Sequence, residues 1–404
     1  MDKEIKQTHG KETFLYALSR TFERASYYGL RSVLLLYMIG ETINMTRDEA
    51  RNMYGLFIGS FIFSQILGGI VGDLVLGNKR SLIIGGILQA LGAFSLCIPS
   101  AIGLYTGLVF ISLGAGLYSP NILSLFGKLY SNKQKLLDSG FMIFYTAINL
   151  GVIIGPLLIG YLGYMNYTYG FITSGILMLC AVSIPFFLKE PVPVDAADNK
   201  VSVNTRGLKI LITIILLGIF WTIYELGYKR ISDLEMKFSE RSALNIPSSM
   251  WYIFSSVFLM PVGIVAAIIW SYVYNSQFIK LTIGFLIAAL AYVILFLVPD
   301  APSDQHVYYY LCSLLLLNIA EIHVSPVIYS TLTQYSNPKY LAIIMSLSFV
   351  PVKLFAMVMA FFNSQFSIEP IFALKLALIA MLVIGSGLLI YVLATKKQNE
   401  TFIK

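Results

Sequence analysis

Residues 23–31 read Glu23-Arg24-Ala25-Ser26-Tyr27-Tyr28-Gly29-Leu30-Arg31, and a leucine-rich run, 33–39, follows at once. A charge held at the depth of a membrane costs roughly 2.5–3.5 kcal/mol on insertion scales, so such groups persist where they face a wet cavity or one another. On a helix at 100° per residue, Arg20, Arg24, Tyr27 and Arg31 fall within about 60° of each other, and Glu23 sits about 60° to one side of Arg20. One face therefore presents three guanidiniums and a phenol, with a carboxylate on its shoulder. Guanidinium is permanently charged and grips carboxylates through two parallel hydrogen bonds. The face suits an anionic substrate group or carboxylates on facing helices. The alternative is an interfacial helix end whose arginines snorkel to the surface, which fits Arg20 better than the deeper Arg24 and Arg31.

The elements that hold this face are apolar. Hydrophobic residues make up 57% of the 404-residue chain and charged residues only 12%, against about a quarter charged in ordinary soluble domains. The mean hydropathy is +0.77. Runs of about twenty apolar residues mark spanning helices, and they predict twelve: 13–39, 51–75, 81–98, 101–129, 138–162, 167–188, 207–231, 249–272, 277–298, 306–334, 340–362 and 370–395. The expected fold class is an all-α integral membrane protein with twelve transmembrane helices in two six-helix bundles. Its parts are a bundle over 1–190, a cytoplasmic linker over 191–206 that holds Pro191, Pro193 and two aspartates, and a second bundle over 207–404. Turn residues such as Gly77-Asn78, Asn166-Tyr167 and Asn337-Pro338 separate the runs.

The net charge of +7 comes with no basic cluster interleaved with aromatics, so nucleic acid is not an expected partner; the lipid bilayer is. Lysine and arginine concentrate on one side of the predicted membrane, at both termini and at Lys79, Arg80, Lys128, Lys133, Lys135, Lys189, Lys200, Lys280 and Lys339. The other side carries Arg47, Arg51, Lys229, Arg230, Lys237 and Arg241. The positive-inside rule then puts both termini in the cytoplasm. Cys97, Cys180 and Cys312 fall in apolar segments at no metal spacing and read as small hydrophobes. The polar N-terminus has no signal-peptide pattern. No nucleophile–base constellation, metal spacing or phosphate loop stands out, so the chain is not expected to be an enzyme, and no cofactor is expected.

Several polar residues fall deep inside predicted spans. Glu321 lies about 15 residues from the outer end of the tenth span, and Lys353 about 13 residues into the eleventh, so both sit near mid-membrane at 1.5 Å per residue. A bare ammonium there needs a partner, and Lys353 is predicted to neutralise Glu321 or another cavity carboxylate; the alternative is snorkelling along a helix face. Arg31 and Glu225 each lie about 18 residues, roughly 27 Å, into the first and seventh spans and reach the same depth. His323 is two residues from Glu321 and on a different helix face; a packed, hydrogen-bonded histidine is expected there, with proton transfer as the alternative. Trp251 and Trp270 stand at span ends, where they read as interfacial anchors.

Gly69-x3-Asp73-x3-Gly77-x-Lys79-Arg80, between the second and third spans, resembles the loop signature of the major facilitator superfamily. The glycines permit close helix approach and a tight turn, and Asp73 is placed to meet a helix N-terminus or a basic partner. The run Glu23-Arg24-Ala25-Ser26-Tyr27-Tyr28-Gly29 further resembles the first-helix motif of the proton-coupled oligopeptide transporter family, with Arg20 where the family has its first Glu. The fourth-helix pattern appears as Gly114-Ala115-Gly116-Leu117-Tyr118-Ser119-Pro120-Asn121, with Ser119 in place of a Lys. The fifth-helix signature is intact as Phe144-Tyr145-x-x-Ile148-Asn149-x-Gly151. The seventh helix carries Phe220-Trp221-x-x-Tyr224-Glu225, and the tenth Glu321-x-x-x-Ser325-Pro326.

The resemblance implies the major facilitator fold and a secondary transporter importing di- or tripeptides by alternating access, with protons as the coupling ion. Substrate contacts would come from Arg20, Arg24, Tyr27, Tyr28, Asn149, Trp221 and Glu321. Proton coupling and gating would involve Glu23, Arg31, Glu225, Glu321 and Lys353, with Arg31 and Glu225 as an outer gate. It implies a functional monomer in a bacterial inner membrane. Arg20 cannot release a proton and Ser119 carries no charge, so the two departures are compensatory: the basic group moves from the fourth helix to the first. A relative that carries another small anion or works as a uniporter, and a transporter-like receptor that binds without transport, stay open as alternatives.

Overall fold

The computed structural model describes residues 8–191, 202–241, 258–366 and 368–401. Most of the predicted linker and Trp251 lie outside them, as does the start of the predicted eighth span. The described residues form helices α1 (Lys11–Ile39), α2 (Arg47–Val71), α3 (Asn78–Ser95), α4 (Ala101–Lys128), α5 (Leu137–Met165), α6 (Tyr167–Phe187), α7 (Val203–Arg241), α8 (Leu259–Tyr272), α9 (Gln277–Leu295), α10 (Val307–Tyr335), α11 (Leu341–Leu347), α12 (Phe349–Phe366) and α13 (Pro370–Thr401). Among them, nine stretches are long and apolar enough to cross a membrane, and α8 is a shorter apolar helix. The remaining two are α1, which bears the charged face, and α3, which opens on Asn78-Lys79-Arg80.

Two boundaries depart from the predicted spans for physical reasons. The eleventh span is broken in two around Ser348, because Pro351 has no N–H to give the carbonyl of Leu347 and its ring crowds that carbonyl. The seventh continues to Arg241, ten residues past its predicted end. Its 39 residues rise about 58 Å, well beyond a hydrocarbon core of about 30 Å. The extra turns are held by charge pairs at helical spacing: Asp233 bonds Arg230 at 2.6 Å and Lys237 at 2.8 Å.

The chain divides into two compact units, one of residues 1–210 and 332–350, the other of residues 211–331 and 351–404. In the first unit, helix crossings are set by small residues. A Cβ on Gly68 would stand 2.0 Å from the Gly116 carbonyl oxygen, which brings α2 onto α4; one on Gly155 would stand 2.2 Å from the Ala25 carbonyl, which brings α5 onto α1. Backbones that touch this closely gain the dispersion and packing that drive helix association where no water is available to expel. An aromatic and aliphatic core that includes Leu34, Tyr37, Phe57, Phe61, Leu104 and Phe171 packs within this unit. In the second unit, Phe220 of α7 is fully buried and stacks edge-on against Phe285 of α9. Gly227 admits the ring of Tyr292, Gly284 admits Val324 and His323 of α10, and Gly385 admits Leu286, which joins α13 to α9.

Candidate functional site

The basic face of α1 folds onto its own carboxylate. Glu23 is fully buried; Oε2 accepts from Arg20 Nη1 at 3.0 Å and from Arg24 Nε at 2.6 Å, and Oε1 accepts from Arg24 Nη2 at 2.5 Å. Ser119 Oγ of α4 accepts from Arg20 Nη1 at 3.2 Å and lies 3.4 Å from Arg24 Nη2. Two guanidiniums against one carboxylate leave one net positive charge, buried and bridged by a hydroxyl. Arg20 is 3% exposed, which corrects the snorkelling alternative: its guanidinium turns inward because Glu23 and Ser119 offer acceptors there. Gly151 of α5 makes room for the chain, since a Cβ on it would press on Arg24 Cβ at 2.7 Å.

Aromatic rings continue the face. Arg24 lies over Tyr27 and Tyr28, at 5.0 and 5.8 Å from their ring centres, and Arg31 lies over the same two rings at 5.5 and 5.6 Å. Arg31 Nε donates to the Tyr54 hydroxyl of α2 at 2.9 Å and also lies over that ring. A cation held between π faces keeps part of its charge available to an incoming anion, because a ring quadrupole does not neutralise it as a carboxylate would. Tyr54 is a member that sequence reasoning missed; it stands on α2 at no motif spacing, and only the α1–α2 packing reveals it. Asn149 is half-buried, and its Nδ2 donates to the Tyr145 carbonyl one turn back at 2.9 Å.

The second unit carries the other predicted residues. On α7, Trp221 and Tyr224 pack on Phe220 and on each other, with Glu225 exposed one residue further. Glu321 of α10 is 7% exposed and acts electrostatically on Tyr224. Lys353 of α12 is half-buried and acts electrostatically on Glu225. His323 Nδ1 donates to the Ile319 carbonyl at 2.8 Å, and the ring meets the Trp270 ring edge-on.

Two residues that the sequence placed at or near span ends are buried against neighbouring helices. Trp270 is 7% exposed and Lys280 3%, with the Lys280 ammonium 4.2 Å from the centre of the Trp270 ring. The electron-rich ring face is a partner for the cation inside the protein. Arg230, predicted as an outer-loop charge, is 2% exposed and bonds Asp233, Asp300 at 2.8 Å and the Val298 carbonyl at 2.9 Å. That network fastens the end of α7 to the segment after α9.

The loop motif is a joint within the first unit. Gly77 has φ +84°, a left-handed conformation that favours glycine. Asp73 Oδ1 accepts from Asn78 at 2.9 Å, and Oδ2 accepts from the backbone N–H of Ile343 at 2.8 Å, in the first turn of α11, where a helix N-terminus attracts an anion. Gly69 lets the Ala342 carbonyl and Ser346 hydroxyl approach to 2.8 Å of where a Cβ would stand. Lys79 donates to the Leu188 carbonyl at the end of α6 at 2.6 Å, and Arg80 is exposed.

Comparison with known proteins agrees with this architecture. The sequence model described as Major Facilitator Superfamily matches residues 14–350. A di-/tripeptide transporter of Lactococcus lactis subsp. cremoris is 33% identical over 245 residues, 56% of this chain and 49% of that protein. An uncharacterised transporter, YclF, of Bacillus subtilis (strain 168) is 34% identical over 240 residues, 56% of this chain and 48% of that protein. The chain thus spans about half the length of the curated relatives it matches. A crystal structure of a peptide transporter POT in complex with sulfate superposes with a TM-score of 0.61 at 20% identity, over 96% of each chain, a likeness of fold. The chain belongs to the major facilitator superfamily, a superfamily of transporters rather than enzymes, and its relatives there include di- and tripeptide transporters.

Proposed function

We propose that the protein is a multi-pass transporter of the cell membrane that imports di- and tripeptides by alternating access, with proton symport. The observation that carries the reading is the buried Arg20–Glu23–Arg24–Ser119 cluster with Tyr27 and Tyr28 beside it. It holds one net positive charge next to aromatic faces, a receptor for a peptide carboxylate. Glu23 serves there as a fixed counter-ion: both its oxygens already accept from guanidinium, and adding a proton would strand two buried cations without an anion. Coupling to protons then falls to Glu225 and Glu321 in the second unit. Glu321 is the acid assigned to the peptide amino group, and Arg31 and Glu225 are each assigned to gating. Both termini face the cytoplasm, and one chain suffices.

The test is counterflow in proteoliposomes preloaded with dialanine. The wild-type chain is expected to exchange external labelled dialanine, and Arg24→Gln to lose exchange. Absence of exchange by well-folded wild-type protein, or full exchange by Arg24→Gln, overturns the reading.

A further inference from the structure

The arginines of α1 spend their donors differently. Arg24 gives Nε and Nη2 to the two oxygens of Glu23, so one two-nitrogen edge of its guanidinium is already filled by a carboxylate. Arg20 is 3% exposed and gives Nη1 to the same carboxylate and to Ser119. Arg31 gives Nε to a phenol instead, the Tyr54 hydroxyl at 2.9 Å, and forms no ion pair among the described residues. Its Nη1–Nη2 edge meets no acceptor there, and the residue is half-buried rather than sealed. A planar guanidinium committed at Nε keeps that second edge for another bidentate partner.

Three phenol rings fix where that edge stands. Cζ of Arg31 lies 5.5 Å from the centre of the Tyr27 ring, 5.6 Å from that of Tyr28 and 5.7 Å from that of Tyr54. The rings favour the cation without cancelling its charge. Arg24 shares two of them, at 5.0 Å from Tyr27 and 5.8 Å from Tyr28. The two guanidiniums therefore stand no farther apart than their two Tyr27 distances laid end to end, which agrees with the rise of two helical turns, about 11 Å. An anion held at Arg31 lies within the length of one small molecule from an anion held at Arg24.

We propose that Arg31, positioned by Tyr54, is a second anion site that favours substrates carrying two anionic groups, in peptide terms those with an acidic side chain at the amino end. The terminal carboxylate meets the Arg24 cluster, and the side-chain carboxylate meets the Nη1–Nη2 edge of Arg31. Each residue of an extended peptide spans about 3.5 Å, so an N-terminal glutamate side chain added to a dipeptide backbone reaches the required distance. This is a role in the loaded state, beside the assignment of Arg31 to gating. The inference rests on the peptide reading and adds to it a substrate preference, with Tyr54 as the positioning residue behind it.

The experiment measures binding of glutamylalanine and of glutaminylalanine, which match in shape and differ in one charge, to the purified full-length protein at neutral pH. Wild type is expected to bind glutamylalanine about fivefold tighter, the scale of one partly exposed ion pair. Arg31→Gln should bring that ratio to about one, and Arg31→Lys, a point charge without the two-nitrogen edge, should keep part of it. Tyr54→Phe keeps the ring but frees Nε, and should lower the ratio to about two. A wild-type ratio of one, or an Arg31→Gln ratio equal to a wild-type preference, overturns the inference while leaving the peptide reading intact. If Arg31→Gln binds neither peptide, Tyr54→Phe decides, and an unchanged ratio there overturns the inference. Failure of folded wild type to bind either peptide or dialanine removes the peptide reading and this inference with it.

Discussion

Replacing Glu23 by glutamine takes the single anion from beneath two guanidiniums and leaves its volume nearly unchanged. The carboxylate is fully buried, and the Arg20 and Arg24 side chains are 4% and 14% exposed. At the observed spacings of 2.5–3.0 Å, each attraction is about 6 kcal/mol at an effective dielectric of about 20. Most of that is offset by desolvation, and removing one partner of a buried pair costs about 3–5 kcal/mol. For a unit of about 200 residues, each 1 kcal/mol moves the thermal midpoint by about 2–4 °C, so Glu23→Gln should melt roughly 6–20 °C below wild type in detergent. The decisive comparison is Arg20→Gln/Glu23→Gln, which also removes one stranded cation. It should recover at least about 1.5 kcal/mol of the loss, a coupling typical of groups in one buried network. A Glu23→Gln midpoint within a degree of wild type, or a double variant less stable than the single, would refute the fixed counter-ion reading.

Arg230→Met should destabilise the second unit by about 2–3 kcal/mol, because it removes three hydrogen bonds of a buried cation but leaves Asp300 exposed and Asp233 still paired with Lys237. Denaturation of the purified protein checks this, and a loss below about 0.5 kcal/mol would contradict it. His9, ahead of α1, lies 2.9 Å from the Tyr130 hydroxyl and 3.2 Å from Ser139 Oγ. Burial, and then the nearby Lys133 ammonium, lower its pKa from the usual 6.5. The stability it contributes is thus present above about 6.5 and fades as the pH falls below that value, where the unfolded chain binds the proton first. The difference in thermal midpoint between wild type and His9→Gln should narrow on acidification; a constant or widening gap would contradict the assignment.

What the sequence made legible follows from periodicity. Apolar runs mark the helices, and the 100° step places Arg20, Arg24, Tyr27 and Arg31 on one face before any contact is known. It could not show that both arginines curl back onto Glu23, because that depends on rotamers and on Ser119 arriving from α4. The outer turns of α7 read as loop since 232–241 are polar, yet Asp233 pairs along the helix and Arg230 finds Asp300 seventy residues away. Lys280 reads as a surface charge by position, and its contact with the Trp270 ring carries no signal in the sequence. Tyr54 carries no motif, and the α1–α2 contact alone gives it Arg31 as partner.

The central claim is proton-driven peptide transport, and the most direct measurement is uptake of labelled dialanine into proteoliposomes across an imposed inward proton gradient. The account predicts accumulation above the external concentration that collapses when a protonophore is added. Equilibration that ignores the gradient would contradict proton symport, and binding without any uptake would contradict transport itself.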